Sequence, residues 1–279
     1  MAKLASKWDR PVVLVPTMGA LHAGHLALVK RARRAAGPGG LVVVSIFVNP
    51  TQFGPNEDLS KYPRPLGRDL DLCRREHVDL VFHPDATAMY APGTSAIVDE
   101  TVISSGLCGA ARPGHFRGVC TVVTKLFHLV RPDAAVFGRK DYQQLAIIER
   151  MVRDLNFPVR IIALDTVREA DGLALSSRNV YLTPEERSQA PTLRRALVQA
   201  AARARNGERS ASALRVAIAG ALAKEAPLAR IDYIELVDAE NLQPAPHWNG
   251  RPAVIAAAVF FGRTRLIDNI ELRPAATRR

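Results

Sequence analysis

The sequence predicts an α/β protein: a doubly wound parallel sheet followed by a smaller α+β domain. Three observations carry this. Through the first part of the chain, apolar runs of strand length alternate with segments of helical period, the pattern of a parallel sheet with helices on both faces. After Arg178 that alternation gives way to alanine-rich helical segments and then to longer extended runs. Lastly, 279 residues with 48% apolar content suffice for two moderate cores, and length favours two domains. We place the boundary so that residues 1–177 form the first domain and 178–279 the second.

Val12–Val15 is the first strand, and a helix from about Gly24 to Ala35 follows it. The Gly37-Pro38-Gly39-Gly40 break leads to a second buried strand, Leu41–Val48. A loop rich in Asn, Pro and Gly spans Asn49–Arg64, ahead of a helix near Arg68–Glu76 and a strand at Leu80–Phe82. Val119–Val130 has helical spacing, Ala134–Phe137 is a short strand, Asp141–Leu155 is helical, and Val159–Leu164 closes the set. Thr183-Pro184-Glu185-Glu186 offers a hydroxyl, an early proline and acids suited to the positive end of a helix. Helices then run to about Ala226, with strands near Ile231–Val237, Ala253–Phe261 and Thr264–Ile270. The tail Arg273–Arg279 is expected to fray.

No apolar stretch is long enough to span a bilayer, and the start lacks the layout of a signal peptide, so no membrane role is expected. Three widely spaced cysteines, Cys73, Cys108 and Cys120, favour neither a disulfide framework nor a zinc knuckle. A reducing cytoplasm is the expected location. The net charge of +11 comes without a long basic block; the densest run, Lys30-Arg31-Ala32-Arg33-Arg34, is the outer face and end of a helix. Such a charge suits an anionic small substrate, and no nucleic-acid partner is expected.

The chemistry concentrates in segments that follow strands, where ligands of such sheets bind. Pro16-Thr17-Met18-Gly19-Ala20-Leu21-His22-Ala23-Gly24-His25 runs from the first strand into a helix. His22 and His25 therefore share one face of a helix N-terminus, where backbone N–H groups and the dipole attract phosphate. A metal site would need a third ligand, which no Cys/His spacing supplies. Asn49 and Gln52 end the second strand and suit hydroxyls and a carboxylate, or else turn chemistry and a partly buried amide. Arg112-Pro113-Gly114-His115-Phe116-Arg117-Gly118 is either a mobile anion-binding loop or a plain surface turn. In Gly138-Arg139-Lys140-Asp141, Lys140 offers a point charge for phosphate, and Asp141 can cap a helix or meet a ribose or metal. Gln144 lies one turn on, facing the same way as Asp141. Leu175-Ser176-Ser177-Arg178 has two hydroxyls and a guanidinium able to clamp a triphosphate.

In this order the segments resemble the pantoate–β-alanine ligase family. The match covers nearly the whole chain: Pro-Thr-Met-Gly-Ala-Leu-His-x-Gly-His, Phe-Val-Asn-Pro-x-Gln-Phe, Tyr-Pro-Arg, Arg-Pro-Gly-His-Phe, Lys-Asp-Tyr-Gln-Gln, Arg168–Ala174 through Ser-Ser-Arg-Asn, and Thr264–Asn269. The His-x-Gly-His element alone indicates only a superfamily that includes class I aminoacyl-tRNA synthetases and several adenylyltransferases. The combination is far more specific.

The resemblance implies a Rossmann-like sheet of the nucleotidyltransferase type, binding ATP and pantoate, with a C-terminal lid, working as a homodimer. It implies condensation of pantoate with β-alanine through a pantoyl adenylate, with ATP as substrate, Mg²⁺ as cofactor, and AMP and pyrophosphate released. The ATP site would comprise Thr17, Met18, Gly19, Ala20, Leu21, His22, Ala23, Gly24 and His25, together with Gly138, Arg139, Lys140, Asp141, Val167, Leu175, Ser176, Ser177 and Arg178. His25 would be the proton donor, with His22 and Lys140 also catalytic. Gln52, Gln144 and Asn49 would hold substrate, Gln52 also touching β-alanine, and Asp69 would lie near Mg²⁺. Arg139 stands where the family usually has glutamate, and Arg68 where some relatives have an acid. The chain also begins later than is typical, so an initial strand or helix is expected to be missing.

Overall fold

A short helix, α1 (Ala2–Ala5), precedes the first strand of the computed structural model, which describes all residues except Ser6, Asn56, Asp58 and 275–279. Asp58 of the expected loop and most of the expected frayed tail lie outside the described residues. Five parallel strands follow: β1 (Val12–Thr17), β2 (Leu41–Ile46), β3 (Leu80–Phe82), β4 (Ala134–Gly138) and β5 (Arg160–Leu164), in the order β3-β2-β1-β4-β5. β1 pairs with β2 from Val12 beside Leu41 to Thr17 beside Ile46, and with β4 at Val13 and Leu14. The central strands β1, β2 and β4 are mostly apolar and buried, as strands covered on both faces are. Val13 and Val15 join Val42, Val44 and Val136 against Val29, Ala32 and Ala36 of α2 (Ala23–Ala36). Leu14, Val43 and Ala135 are one residue out of phase, face the other side, and are fully buried there.

The strand order reverses between β1 and β4, so the loops leaving these two strands flank the crevice where open α/β sheets take ligands. The remaining helices here are α3 (Leu66–Arg75), α4 (Ala86–Met89), α5 (Leu107–Ala111), α6 (His115–Val130) and α7 (Tyr142–Asp154). Neither α4 nor α5 is expected from periodicity, being too short to show one. α6 starts four residues ahead of its expected beginning, at His115 rather than Val119. The Arg112–Gly118 segment is thus not a loop to its end: from His115 onward it is helix.

The chain divides into two compact units, Met1–Arg139 with Gln143–Thr166, and Lys140–Tyr142 with Val167–Arg279. The division lies ahead of the expected 177/178 boundary for a local reason. Leu175 N donates to the Val167 carbonyl at 3.0 Å, Arg168 bridges to Ala174, and the Arg168 guanidinium forks onto Asp268 at 2.7 and 2.9 Å. Residues 167–177 are therefore tied into the second unit. So is the Lys140–Tyr142 turn: Asn269 Nδ2 donates to the Lys140 carbonyl at 3.0 Å and the Tyr142 hydroxyl to that of Ala239 at 3.3 Å.

The second unit has α8 (Pro184–Gln189), α9 (Thr192–Arg205) and α10 (Ala211–Glu225) and an antiparallel sheet of β6 (Ala229–Asp238), β7 (Ala253–Phe261) and β8 (Thr264–Leu272), in the order β6-β7-β8. Thr183 and Glu186 form the capping box that their spacing predicts. Ala196, Leu197, Ala200 and Ala204 of α9 and Leu214, Ile218 and Leu222 of α10 pack on Ile255, Ala257, Val259 and Phe261 of β7. The small alanines let helix and sheet backbones approach closely.

Candidate active site

β1 ends at Thr17, and the chain crosses the strand ends into α2. His22 is the N-cap of α2 and His25 its third residue, and their rings form a capping box made of imidazoles. His22 Nδ1 accepts the Gly24 N–H at 3.1 Å, and His25 Nδ1 accepts the His22 N–H at 3.3 Å. The ring centroids are 4.1 Å apart. A nitrogen that accepts a hydrogen bond carries no proton, so in the neutral ring the hydrogen sits on Nε2. Nε2 lies across the ring from the capped backbone. Both rings thus carry an N–H donor away from the helix they cap, beside its positive end.

The loop between β1 and His22 is held from outside. Gly19 has φ +81° and Ala20 φ +49°, two successive left-handed residues, of which only the first is glycine. Asp69 of α3, 1% exposed, accepts the Ala20 and Leu21 N–H groups, one on each carboxylate oxygen, at 2.8 Å. The Thr17 hydroxyl donates to the Ser45 carbonyl at 2.7 Å and accepts from Gly19 N at 3.1 Å, so its hydrogen bonds serve the loop. The expectation of Asp69 beside Mg²⁺ does not fit this geometry. Mg²⁺ wants open oxygen positions and keeps several waters, whereas this carboxylate is buried with both oxygens on backbone. Among the described residues no group of three or more His, Cys, Asp or Glu could hold a metal.

Asn49, 1% exposed, is a hub rather than a surface amide. Its Nδ2 donates to Gln52 Oε1 and to the Gly118 carbonyl, both at 3.1 Å, and its Oδ1 accepts from the Thr51 hydroxyl at 2.9 Å and the Tyr90 hydroxyl at 2.8 Å. Gln52 is thereby oriented, and its Nε2 lies 3.1 Å from Met18 Sδ. Met18 and Gln52 come together; Asn49 stands behind them.

Residues that the sequence left as a loop or turn complete this support. Arg112 forks onto Glu57 at 2.7 and 2.6 Å, and its Nη1 lies 3.0 Å from His115 Nε2. Arginine only donates, so His115 accepts at Nε2 and its Nδ1–H donates to the Gln52 carbonyl at 2.8 Å. Burial works against the Glu57 charge, but the Arg112 hydrogen bonds and charge prevail and hold its carboxyl below the usual value. Burial lifts the Tyr90 phenol above its ordinary range, against a smaller opposing effect of the Thr51 hydrogen bond.

At the end of β4, Arg139 pairs with Asp165 at 3.2 Å, the aspartate being almost fully exposed. Gln144 is half-buried on α7. Its neighbour Gln143, missed from sequence, is buried: it accepts from Cys108 N at 3.0 Å and donates to the Ile103 and Gly106 carbonyls at 2.9 and 2.8 Å. In the second unit, Lys140 Nζ lies 3.8 Å from its neighbour Asp141. Val167 and Leu175 pair through backbone, and the Ser176 hydroxyl caps a 3₁₀ turn (Ser177–Tyr181) by accepting from Arg178 N at 3.2 Å. Asn179 donates to Glu169 and to the Ala174 carbonyl, both at 3.1 Å, and steadies that turn.

Comparison with known proteins places this geometry. The family model for pantoate-beta-alanine ligase matches residues 1–271. A pantothenate synthetase of Akkermansia muciniphila is 56% identical over 262 residues, 94% of this chain and 92% of the relative. One of Fervidobacterium nodosum is 52% identical over 270 residues, 97% and 94% of the two chains. The crystal structure of pantothenate synthetase from Thermus thermophilus matches with a TM-score of 0.89 at 48% identity, covering 98% of each chain. That of a pantoate-beta-alanine ligase from Francisella tularensis, complexed with beta-gamma ATP and beta-alanine, matches at 0.78 and 34% identity, covering 96% of this chain and 93% of that one. The chain belongs to the pantoate–β-alanine ligase family.

Proposed function

We propose that the protein is an ATP-dependent ligase that joins (R)-pantoate to β-alanine through a pantoyl adenylate. The observation that carries this is the imidazole capping box at the sheet's switch point. It supplies two Nε2–H donors where a nucleotide phosphate would sit, in a chain whose Francisella relative is described with beta-gamma ATP and beta-alanine. A carboxylate is a poor electrophile, so it must first be activated. A pantoate carboxylate oxygen bonds to the α-phosphorus of ATP, the bond to the β-phosphate breaks, and pyrophosphate leaves. The neutral amine of β-alanine then attacks the acyl carbon, AMP leaves with the electron pair of the broken bond, and the nitrogen loses its proton.

His25 and His22 donate to oxygens whose charge grows in the first step, with Lys140 adding a full positive charge. Preorganised donors of this kind act mainly on the transition state. Met18–His25, Gly138–Asp141, Val167 and Leu175–Arg178 are the proposed nucleotide contacts; Gln52 and Gln144 are proposed to hold pantoate, with Asn49 orienting Gln52 from behind. Neutral amides suit an acid substrate, because a uniformly tight grip on the ground state would not raise the rate. Mg²⁺ is proposed to enter with ATP, coordinated by phosphate oxygens and water. A homodimer is the proposed working form, and the cytoplasm the proposed location, in keeping with three buried cysteines that form no disulfide.

The test is direct. Purified protein with ATP, Mg²⁺, pantoate and β-alanine should yield AMP and pantothenate, and omission of any component should stop it. Labelled pyrophosphate should exchange into ATP with pantoate alone. Exchange that ignores pantoate, or that follows another acid, would refute the assignment.

A further inference from the structure

We infer that Asp69 is a positioning residue that fills, from inside the protein, an anion-binding concavity in the backbone, and so fixes the loop carrying His22 and His25. Successive N–H groups in a turned backbone converge to make a small anion site. Here Ala20 N and Leu21 N converge on one carboxylate at 2.8 Å each. That carboxylate is 1% exposed, so the concavity is closed to solvent by the protein's own side chain. Without it two buried N–H groups would lack partners, because β1 has ended and α2 has not begun.

The same contact stabilises a backbone that is unfavourable by itself. Ala20, at φ +49°, occupies a region that side-chain-bearing residues seldom adopt. A Cβ on Gly19 would come within 3.0 Å of both Asp69 Oδ2 and Ile46 Cγ2, so the approach of the carboxylate also explains the glycine. Leu21 directly precedes the His22 cap, and a shift of the Ala20–Leu21 backbone moves both imidazoles. Two conclusions follow. Within the proposed Met18–His25 contact segment, the Ala20 and Leu21 amides are therefore not the groups that meet phosphate, since they already hold an anion. Asp69 acts on the nucleotide chemistry through the loop, and not through a metal ion.

This inference rests on the reading of the His22–His25 segment as the nucleotide site, yet its first test needs no activity. In wild-type enzyme without nucleotide or Mg²⁺, the Ala20 and Leu21 amides should resist hydrogen exchange as strongly as the neighbouring β1 amides. Asp69→Asn places an NH₂ donor against an N–H donor, and exchange at these two amides should become fast. In the same variant pantoate-dependent pyrophosphate exchange should fall about 10²-fold, the cost of misplacing reacting groups by roughly 1 Å. The Mg²⁺ concentration giving half-maximal rate should stay unchanged. Gly19→Ala, which pushes the carboxylate away without altering its charge, should expose the same amides. Should Asp69→Asn not fold, wild-type exchange and Gly19→Ala carry the test. Fast exchange of Ala20 and Leu21 in the wild type overturns the inference, as does rescue of Asp69→Asn by added Mg²⁺. Loss of pantoate dependence in the wild type, with those amides still protected, would instead overturn the proposed reaction alone.

Discussion

An imidazole seldom caps a helix, and at His25 one ring has two tasks that substitution can separate. Its Nδ1 satisfies the His22 N–H, and its Nε2 carries the donor proposed for the phosphoryl oxygen. His25→Ala removes both, so pyrophosphate release should fall by about 10²–10³, with about 1 kcal/mol lost from stability through the missing cap. His25→Asn puts an amide oxygen close to the place of Nδ1 and nothing at Nε2. It should unfold near the wild-type temperature and still lose the rate; full activity in it would mean that the distal nitrogen has no role. Asn49 offers a contrasting case, because its four partners all belong to the protein. Asn49→Ala leaves buried groups unpaired, and each such group costs about 1–3 kcal/mol. Thermal unfolding should show a loss of that order, and KM for pantoate should rise through a misdirected Gln52. The histidine pair was legible in the sequence because strand, glycines and helix are contiguous there. For Asn49 the sequence left two readings open, since whether an Asn-Pro amide faces ligand or core depends on Tyr90 and Gly118, which are remote in the chain. The place of Asp69 behind the Ala20–Leu21 backbone was hidden for the same reason.

At the scale of elements, helix α6 buttresses the Gln52 loop by direct backbone contact. A Cβ on Gly118 would lie 2.5 Å from the Thr51 carbonyl oxygen and 2.7 Å from Gln52 N. Glycine within a helix ordinarily costs about 1 kcal/mol relative to alanine, and at exposed Gly220 of α10 no atom opposes an added Cβ. Gly220→Ala should therefore stabilise the protein by about 0.5–1 kcal/mol, as reduced chain entropy predicts. Gly118→Ala should do the reverse, losing about 1–3 kcal/mol through overpacking and raising KM for pantoate as the loop shifts. Equal effects at the two sites, measured by denaturant unfolding, would contradict the buttress. This tertiary contact also explains why the start of α6 was hidden: Pro113, Gly114 and Gly118 are local signs of a loop, and only packing against Thr51 makes a mid-helix glycine useful. The long strands, α2 and α7 were legible because burial on a sheet or a helix stripe writes its period into the sequence, and the region of α9 and α10 because it is rich in alanine. The short α4 and α5 carry too few residues to do so.

For the whole molecule, the buried and paired titratable groups set a pH window of stability. On the acid side, burial opposes ionisation of Glu57 and Asp171, but hydrogen bonds and charge from Arg112 and Arg187 outweigh it and hold both carboxyls below their ordinary values of 4.5 and 3.8. The unfolded chain then binds protons first. Stability from these pairs is complete above the ordinary values and is lost as pH falls through the lower folded ones. Asp171 is well exposed, so solvent screening makes Glu57 the larger contributor. On the alkaline side the thiols act in the opposite sense. Burial, with smaller help from nearby carboxylates, pushes Cys73 from 9.0 up to about 11 and Cys120 up to about 12. The unfolded chain loses these protons first, so stability is complete below 9.0 and falls as pH rises toward the folded values. Melting temperature should accordingly be level between about 5 and 9 and decline on both sides. Glu57→Gln should melt below the wild type at neutral pH and converge with it as pH falls through the acid limb. Cys73→Ala combined with Cys120→Ala should retain more of its neutral-pH melting temperature between 9.0 and about 11 than the parent does. If the two acid limbs stayed parallel instead, the Glu57–Arg112 pair would not be what the acid removes. The Gln52 loop would then need another explanation for its order.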